Sequence, residues 1–325
     1  MRILITGAGS VMGQSIYKAL ALMESSETLE IHFANSDPFA AGRYFSDPKL
    51  PITAAPIFPL ARDPNYVNFV LDYCKKHDIR IIYAGTQHEL EKLTELHKQL
   101  PITATIPNKI AKLCLDKNLT PQVLEKHGIR APWTMNAHEF ISRGFENQPT
   151  ILKPATSSAS RNIIAVKSSR EAQLALSGRG LVPEQFTAQE QLVGPEYTCG
   201  VYVDRYSRMV STICFERTLT PDGATGYGKI VVDQPIDEYA IAVGQALVSE
   251  GMEFGHINVQ LIVDSKGPCL FEINGRLSST EAPKAHFGYN SCAAYFYNLV
   301  LEKPYSGFAP KTKGEFLRYY EEVYF

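Results

Sequence analysis

Short apolar runs alternate with amphipathic stretches through the N-terminal third of the chain. Residues 2–5 read as an apolar strand, and Gly7-Ala8-Gly9-Ser10-Val11-Met12-Gly13 reads as a tight turn. Apolar positions at helical spacing then predict a helix over 14–23. Further strands are expected at 31–34, ending near Asp37-Pro38, and at 79–83, with helices at 66–77 and 89–99. This strand–helix alternation is the pattern of a parallel, doubly wound sheet.

Beyond it the spacing changes. Thr120-Pro121 offers an N-cap and a first-turn proline, and Gly128 closes a helix that buries Leu124. A strand is expected at 150–153, a loop of small residues at 154–160 and a second strand at 163–166. From Phe186 onward the period is mostly that of antiparallel strands, interrupted by one amphipathic helix over 238–250 capped by Gly251. A last helix at 293–301 precedes an aromatic tail. The fold class is therefore α/β followed by α+β.

Two apolar segments near the C-terminus carry the most chemistry. Ile257-Asn258-Val259-Gln260-Leu261-Ile262-Val263 and Cys269-Leu270-Phe271-Glu272-Ile273-Asn274-Gly275-Arg276 are joined by the turn-rich link Asp264-Ser265-Lys266-Gly267-Pro268. On strands, Cys269, Phe271 and Ile273 face one way and Glu272 and Asn274 the other. If Val263 opposes Cys269, Gln260 falls opposite Glu272 and Asn258 opposite Asn274, so four oxygen-bearing side chains share one face. Carboxylate and amide oxygens suit Mg2+ or Mn2+, which complete their shells with water and phosphates. The competing reading is an ordinary hairpin with one solvated polar face.

Composition narrows the partners. The chain has 325 residues, enough for two or three sub-domains. Its 32 Lys plus Arg against 34 Asp plus Glu leave a formal net charge of -2, which offers no global field for nucleic acid or an anionic membrane. The six cysteines are scattered, with no CxxC pair, and are expected to be reduced, mostly buried thiols of a cytoplasmic protein. No signal-peptide pattern opens the chain, and no apolar stretch reaches membrane-spanning length. The GxGxxxG spacing at 7–13 departs from the dinucleotide fingerprint. Tight strand-to-helix packing is therefore the expected role of those glycines, although Asp37 lies near where a ribose-binding acid would stand.

Several ordinary features occur in a telling order. Lys117 follows Asp116, and Lys153 ends a strand before the loop Pro154-Ala155-Thr156-Ser157-Ser158-Ala159-Ser160. Glu190-Gln191-Leu192 closes a strand, Glu196 opens the next, and Asn258-x-Gln260 and Glu272-x-Asn274-x-Arg276 follow. Together these resemble the ATP-grasp superfamily, most closely the carbamoyl phosphate synthase large-subunit type, over about residues 108–302. The resemblance implies a pre-ATP-grasp Rossmann-like domain at 1–105, a central region and small lobe at 106–183, a large lobe at 184–302 and a C-terminal aromatic tail at 303–325. It further implies that Lys117 and Lys153 contact ATP phosphates under a loop bearing Ser157, Ser158 and Ser160. Glu190, Gln191 and Leu192 would line the adenine and Glu196 would hold the ribose. Gln260, Glu272 and Asn274 would ligate Mg2+ or Mn2+, and Arg276, with Lys153, would serve the transferred phosphate.

Two departures stand out. Serines and Arg161 replace glycines of the phosphate loop, and Gly223-Ala224-Thr225-Gly226-Tyr227-Gly228-Lys229 lacks the histidine of the synthase type, which leaves Lys229 as a candidate contact or a solvated loop lysine. The activity the resemblance implies is ATP-dependent joining of a small carboxylate to an amine through an acyl phosphate. The alternatives are a small-molecule kinase, a carbamoyl-type phosphoryl-transfer enzyme or a silent nucleotide-binding protein. The aromatic tail is expected to pack on the body or across a homodimer.

Overall fold

The computed structural model describes residues 1–25, 27–47, 50–95, 102–155, 163–221 and 223–324. Five parallel strands, β1 (Arg2–Ile5), β2 (Glu30–Asn35), β3 (Ile52–Ile57), β4 (Ile79–Tyr83) and β5 (Ile102–Thr103), assemble in the order β3-β2-β1-β4-β5. The helices α1 (Val11–Ala21), α2 (Tyr66–Lys76) and α3 (Gln87–Glu95) alternate with them. The strands read as continuous apolar runs because both faces are covered: Ile3, Ile5 and Ile81 join the core with α1, while Leu4 and Ile82 pack with Val70 and Tyr73 of α2.

Local caps explain where the predicted boundaries move. The Ser10 side chain accepts from Gly13 N–H, so α1 starts inside the glycine turn, three residues before the expected start. The unpredicted β3 lies at the sheet edge, where Pro56 is tolerated. The expected helix at 89–99 begins at Gln87, and its stretch beyond Glu95 lies outside the described residues.

Two helices, α4 (Asn108–Leu115) and α5 (Leu119–Lys126), lead into the second sheet. The capping expected of Thr120 belongs to Asp116, whose carboxylate accepts from the N–H groups of Asn118 and Leu119. The Thr120 hydroxyl instead donates back to the carbonyls of Leu113 and Asp116. Strands β6 (Thr134–Asn136), β7 (Thr150–Pro154), β8 (Ile164–Val166) and β9 (Phe186–Glu190) form an antiparallel sheet in the order β6-β9-β7-β8. It packs on α6 (Ala137–Ser142) and α7 (Ser169–Ser177) around Phe140, Leu152 and Leu176.

The third sheet has six antiparallel strands in the order β14-β13-β10-β11-β12-β15. They are β10 (Glu196–Val203), β11 (Val210–Leu219), β12 (Thr225–Val231), β13 (Gly255–Asp264), β14 (Gly267–Asn274) and β15 (Glu315–Leu317). Helix α8 (Gln234–Ser249) covers one face. It starts four residues earlier than its apolar period suggested, because Asp233 caps it with Pro235 in the first turn. Gly251 then ends it with φ at +105°. The opposite face meets α9 (Glu281–His286) and α10 (Ser291–Leu299) and merges with the core under the parallel sheet, so Ile3, Phe33, Phe215 and Phe296 belong to one cluster.

One expectation, that of reduced cysteines, is corrected here. Cys199 and Cys214 face each other across β10 and β11 and form a disulfide; the other four cysteines are free and buried. The tail divides. Phe316 lies on β15 against Gly228, where an added Cβ would come 2.4 Å from its ring, but Tyr319, Tyr320 and Tyr324 are exposed. No helix among the described residues is long and apolar enough to cross a membrane.

This division predicts a split truncation result. Ending the chain after Arg318 leaves the thermal unfolding midpoint unchanged. Ending it after Lys313 strips Phe316 from the sheet edge and costs about 2 kcal/mol, the worth of burying one such ring. Unfolding curves of the two truncations distinguish the outcomes.

Candidate active site

The β13–β14 hairpin supplies the centre of the site, with its register set by a bulge. Asn258 opposes Asn274 and Gln260 opposes Glu272, as the alternation requires. On the turn side the pairing slips by one: Ile262 opposes Cys269 and Val263 opposes Pro268. Phe271 is the extra residue. The expectation that Val263 faces Cys269 is therefore corrected, and so is the facing of this strand: Leu270 and Ile273, three apart, share the core under α8.

The strand β14 lies at the sheet edge, where outward carbonyls are free to accept. Lys153, at the end of β7, donates to Phe271 O at 2.7 Å and to Gln189 Oε1 of β9 at 2.8 Å, and its ammonium lies 6.0 Å from the Phe271 ring centre. One ammonium thus ties the four-stranded sheet to the six-stranded one. Lys153 is only 6% exposed, and this burial pushes it down to about 7; Glu272 opposes the shift and Lys117 adds to it. Lys117 is also lowered by burial, with Glu272 and then Asp116 opposing. Arg276 is lowered by burial and opposed by Glu272 and Glu281. One carboxylate, Glu272, is the anionic neighbour common to all three cations.

The side-chain oxygens of Gln260, Glu272 and Asn274 carry no hydrogen bond among the described residues, so all three are open to a ligand. Their chemistry, one carboxylate and two amides, is that of a hard-cation site and not a zinc site. Asn258, on the same face, is spoken for: its Oδ1 accepts from Lys284 Nζ at 2.9 Å and Thr198 Oγ1 at 3.2 Å.

Lys284 heads a fully buried network behind the hairpin. It also donates to Ser278 Oγ at 3.0 Å and Glu281 Oε1 at 3.1 Å, while Ser291 and Ser278 donate to Glu281. Burial raises the Glu281 carboxyl, but its neighbours His256 and Lys284 and the hydroxyls of Ser291 and Ser278 more than offset that and lower it. The pair fixes the segment from Ser278 to Glu281 directly after Arg276. The Arg276 guanidinium itself reaches the N-terminal sheet, with Nε donating to Gln87 Oε1 at 2.7 Å and Nη1 to Leu277 O at 3.0 Å.

The remaining predicted residues fall as follows. Glu190 N–H donates to Trp133 O at 2.9 Å and Gln191 N–H to Pro149 O at 3.2 Å, while Leu192 N–H takes no such bond among the described residues. Glu196 forms a two-pronged ion pair with Arg217, opposite it on β11. Arg217 escaped the sequence reading because only the β10–β11 register reveals it. Lys229 is exposed and belongs to the sheet face opposite that of Gly228 and Arg217, so it is a solvated lysine. Ser157, Ser158 and Ser160 lie outside the described residues.

The glycine turn serves packing. A Cβ on Gly13 would come 2.4 Å from Gly7 O, and one on Gly85 would come 2.2 Å from Thr6 O. The buried Glu89 carboxylate, bonded to Thr86 Oγ1 at 2.8 Å and to Gly7 N–H, stands where a phosphate would have to sit. Asp37 accepts from Phe39 N–H in a local turn.

The sequence profile of the ATP-grasp domain matches residues 114–280, and the chain belongs to that family. Its parallel sheet followed by two antiparallel sheets is the Rossmann-like domain and two-lobed grasp of that fold. N5-carboxyaminoimidazole ribonucleotide synthetase from Thermus thermophilus superposes with a TM-score of 0.71 at 16% identity, over 96% of this chain and 82% of that one. L-amino acid ligase from Bacillus licheniformis gives 0.65 at 15%, over 95% and 77%. Biotin carboxylase from Campylobacter jejuni gives 0.68 at 15%, over 96% and 72%. At such identities the likeness is one of fold. No curated protein matches in sequence.

Burial of Lys153 makes stability depend on pH. Between about 7 and the ordinary lysine value near 10.5 the unfolded chain holds a proton that the folded chain has lost, so stability rises with pH across that window. The slope from this group is at most about 1.4 kcal/mol per pH unit. Urea unfolding at pH 7, 8 and 9 should show the parent gaining relative to Lys153→Met; parallel curves would place the lysine in water.

Proposed function

We propose that the protein is an ATP-dependent ligase that activates a small carboxylate as an acyl phosphate and passes the acyl group to an amine, releasing ADP and phosphate. The observation that carries this reading is Glu272 set among Lys117, Lys153 and Arg276. Glu272 is the anionic neighbour common to two lysines and an arginine, the kind of gathered positive charge that takes up the phosphates of a nucleotide. The relatives support it: an Aspergillus clavatus carboxyaminoimidazole ribonucleotide synthase was solved with ATP, and the Bacillus relative is an L-amino acid ligase.

In this reading the lobes follow the boundaries at 105, 183 and 302, and ATP lies between the two antiparallel sheets. Lys117 and Lys153 neutralise its phosphates, with Ser157, Ser158 and Ser160 on the covering segment. The stretch from Glu190 through Gln191 to Leu192 borders the adenine, where Leu192 N–H is open. Glu196 takes the ribose hydroxyls, sharing its carboxylate with Arg217. Gln260, Glu272 and Asn274 hold Mg2+, which when bound screens the phosphate charge.

The chemistry needs positioning and charge, with no protein nucleophile. A substrate carboxylate oxygen attacks the γ-phosphorus, and the bond to ADP breaks with its electron pair leaving on ADP. The amine nitrogen then attacks the acyl carbon, the carbon–oxygen bond to phosphate breaks, and the nitrogen loses a proton to solvent. Arg276, held by Gln87, faces the transferred phosphate and steadies the charge that develops on it.

Screening carboxylates and amines in pairs for stimulated ADP release tests the proposal. With a responsive pair, Glu272→Gln should lower turnover at least about 100-fold while the unfolding midpoint stays near that of the parent. Near-parental turnover at limiting Mg2+ would remove Glu272 from the metal site. Failure of every pair to stimulate ADP release, with ATP bound, would favour a silent nucleotide-binding protein.

A further inference from the structure

Strand β15 brings the C-terminal tail onto the side of the six-stranded sheet that carries Gln260. Residues directly opposed on antiparallel strands share a face, so Thr198 lies with Gln260 and Phe215, while Arg217 lies with Gly228 and Phe316. Phe215 and Arg217 are two apart on β11, which makes all of these one face. The pairing runs a residue beyond β15, because Arg318 N–H donates to Gly226 O at 2.8 Å. Arg318, two residues on from Phe316, therefore stands on that face too. Phe316 holds it there, with its ring over Gly228 and edge-on to Phe215 at 5.4 Å between centres.

The partner of this arginine is what gives it a role. Arg318 Nη2 donates to Ser279 O. In the six-stranded sheet β14 and β15 are opposite edges, and β14 is the strand that leads into Arg276 and on to Ser279. One side chain thus fastens the segment leaving one edge to the strand at the other. The same segment is held from behind, where Ser278 donates to Glu281 from its N–H at 2.9 Å and its hydroxyl at 2.8 Å. At its start, Leu277 O accepts from Arg276 Nη1 at 3.0 Å. The path of residues 277–279 therefore sets where the Arg276 guanidinium lies.

We propose that Arg318 is a positioning residue of the site: from the tail it holds the segment after Arg276, and so keeps that guanidinium turned toward the transferred phosphate. The inference rests on the ligase reading above. It adds to that reading a residue beyond the stretch 114–280 that the family profile matches, and it makes the C-terminal strand part of the site.

The test is calorimetry on the full-length protein with Mg2+, comparing a non-hydrolysable ATP analogue with ADP, because only the analogue carries the phosphate that Arg276 faces. Arg276→Gln and Arg318→Ala should each weaken the analogue about ten-fold relative to ADP, the scale of one hydrogen bond to a charged group. ADP affinity and the unfolding midpoint should stay near those of the parent. Arg318→Lys, which keeps a donor for Ser279 O, should recover most of the lost preference. Joining Arg318→Ala to Arg276→Gln should add nothing, since one residue acts through the other. Ending the chain after Leu317 should reproduce Arg318→Ala, and ending it after Arg318 should not. A parental ratio in Arg318→Ala or in Arg276→Gln, additive losses in the double variant, or equal loss of both nucleotides with a lowered midpoint overturns the positioning role and leaves the ligase reading standing. Failure of the parent to bind either nucleotide would remove the ligase reading itself, and this inference with it.

Discussion

The cleft depends on one electrostatic constraint: Glu272 is the carboxylate shared by three basic side chains drawn from three parts of the chain, with Asp116 and Glu281 each adding to the compensation of one of them. Lys117 precedes α5, Lys153 ends β7 and Arg276 follows β14, and each is penalised by burial that Glu272 partly offsets. In a low-dielectric setting such groups repel one another by several kcal/mol unless something negative lies between them. An anion entering the cleft is favoured by the repulsion it relieves, before any specific contact is counted.

The same cations show how the two antiparallel sheets stay in register. Lys153 reaches across to the carbonyl of Phe271 on β14, the edge strand of the six-stranded sheet. Behind the hairpin, the Lys284–Glu281 pair costs desolvation and is weak evidence of stability. Its value is geometric. Gly200 leaves the space, since a Cβ there would stand 3.0 Å from Lys284 Cε, and the pair pins the segment that carries Arg276 away from its own strand.

Much of this was legible in the sequence because it depends on local period. The parallel strands, the hairpin and the shared face of Gln260, Glu272 and Asn274 follow from alternation alone. What escaped reading depends on distant pairing. Arg217 meets Glu196 only once β10 and β11 are aligned, and Gln87 meets Arg276 only once the N-terminal sheet docks on the third. Helix starts were misplaced where a side chain just ahead of the first turn supplied the cap, as Ser10 and Asp233 do. The bulge left no mark in the pattern, because Cys269-Leu270-Phe271 is apolar throughout and fits either register. The disulfide was invisible for a similar reason: Cys199 and Cys214 look like isolated core residues until their strands pair.

The bulge at Phe271 has a consequence for how this chain can vary over evolutionary time. It separates the hairpin into two segments, the one bearing Glu272 and Asn274 and the one closed by the turn at 264–267, and both send apolar residues, Ile273 from the first and Leu270 from the second, into the core under α8. A one-residue change at the turn therefore cannot be passed along the strand without turning Leu270 out of that core, whereas loss of Phe271 itself leaves Leu270, Glu272 and Ile273 alternating as on a plain strand.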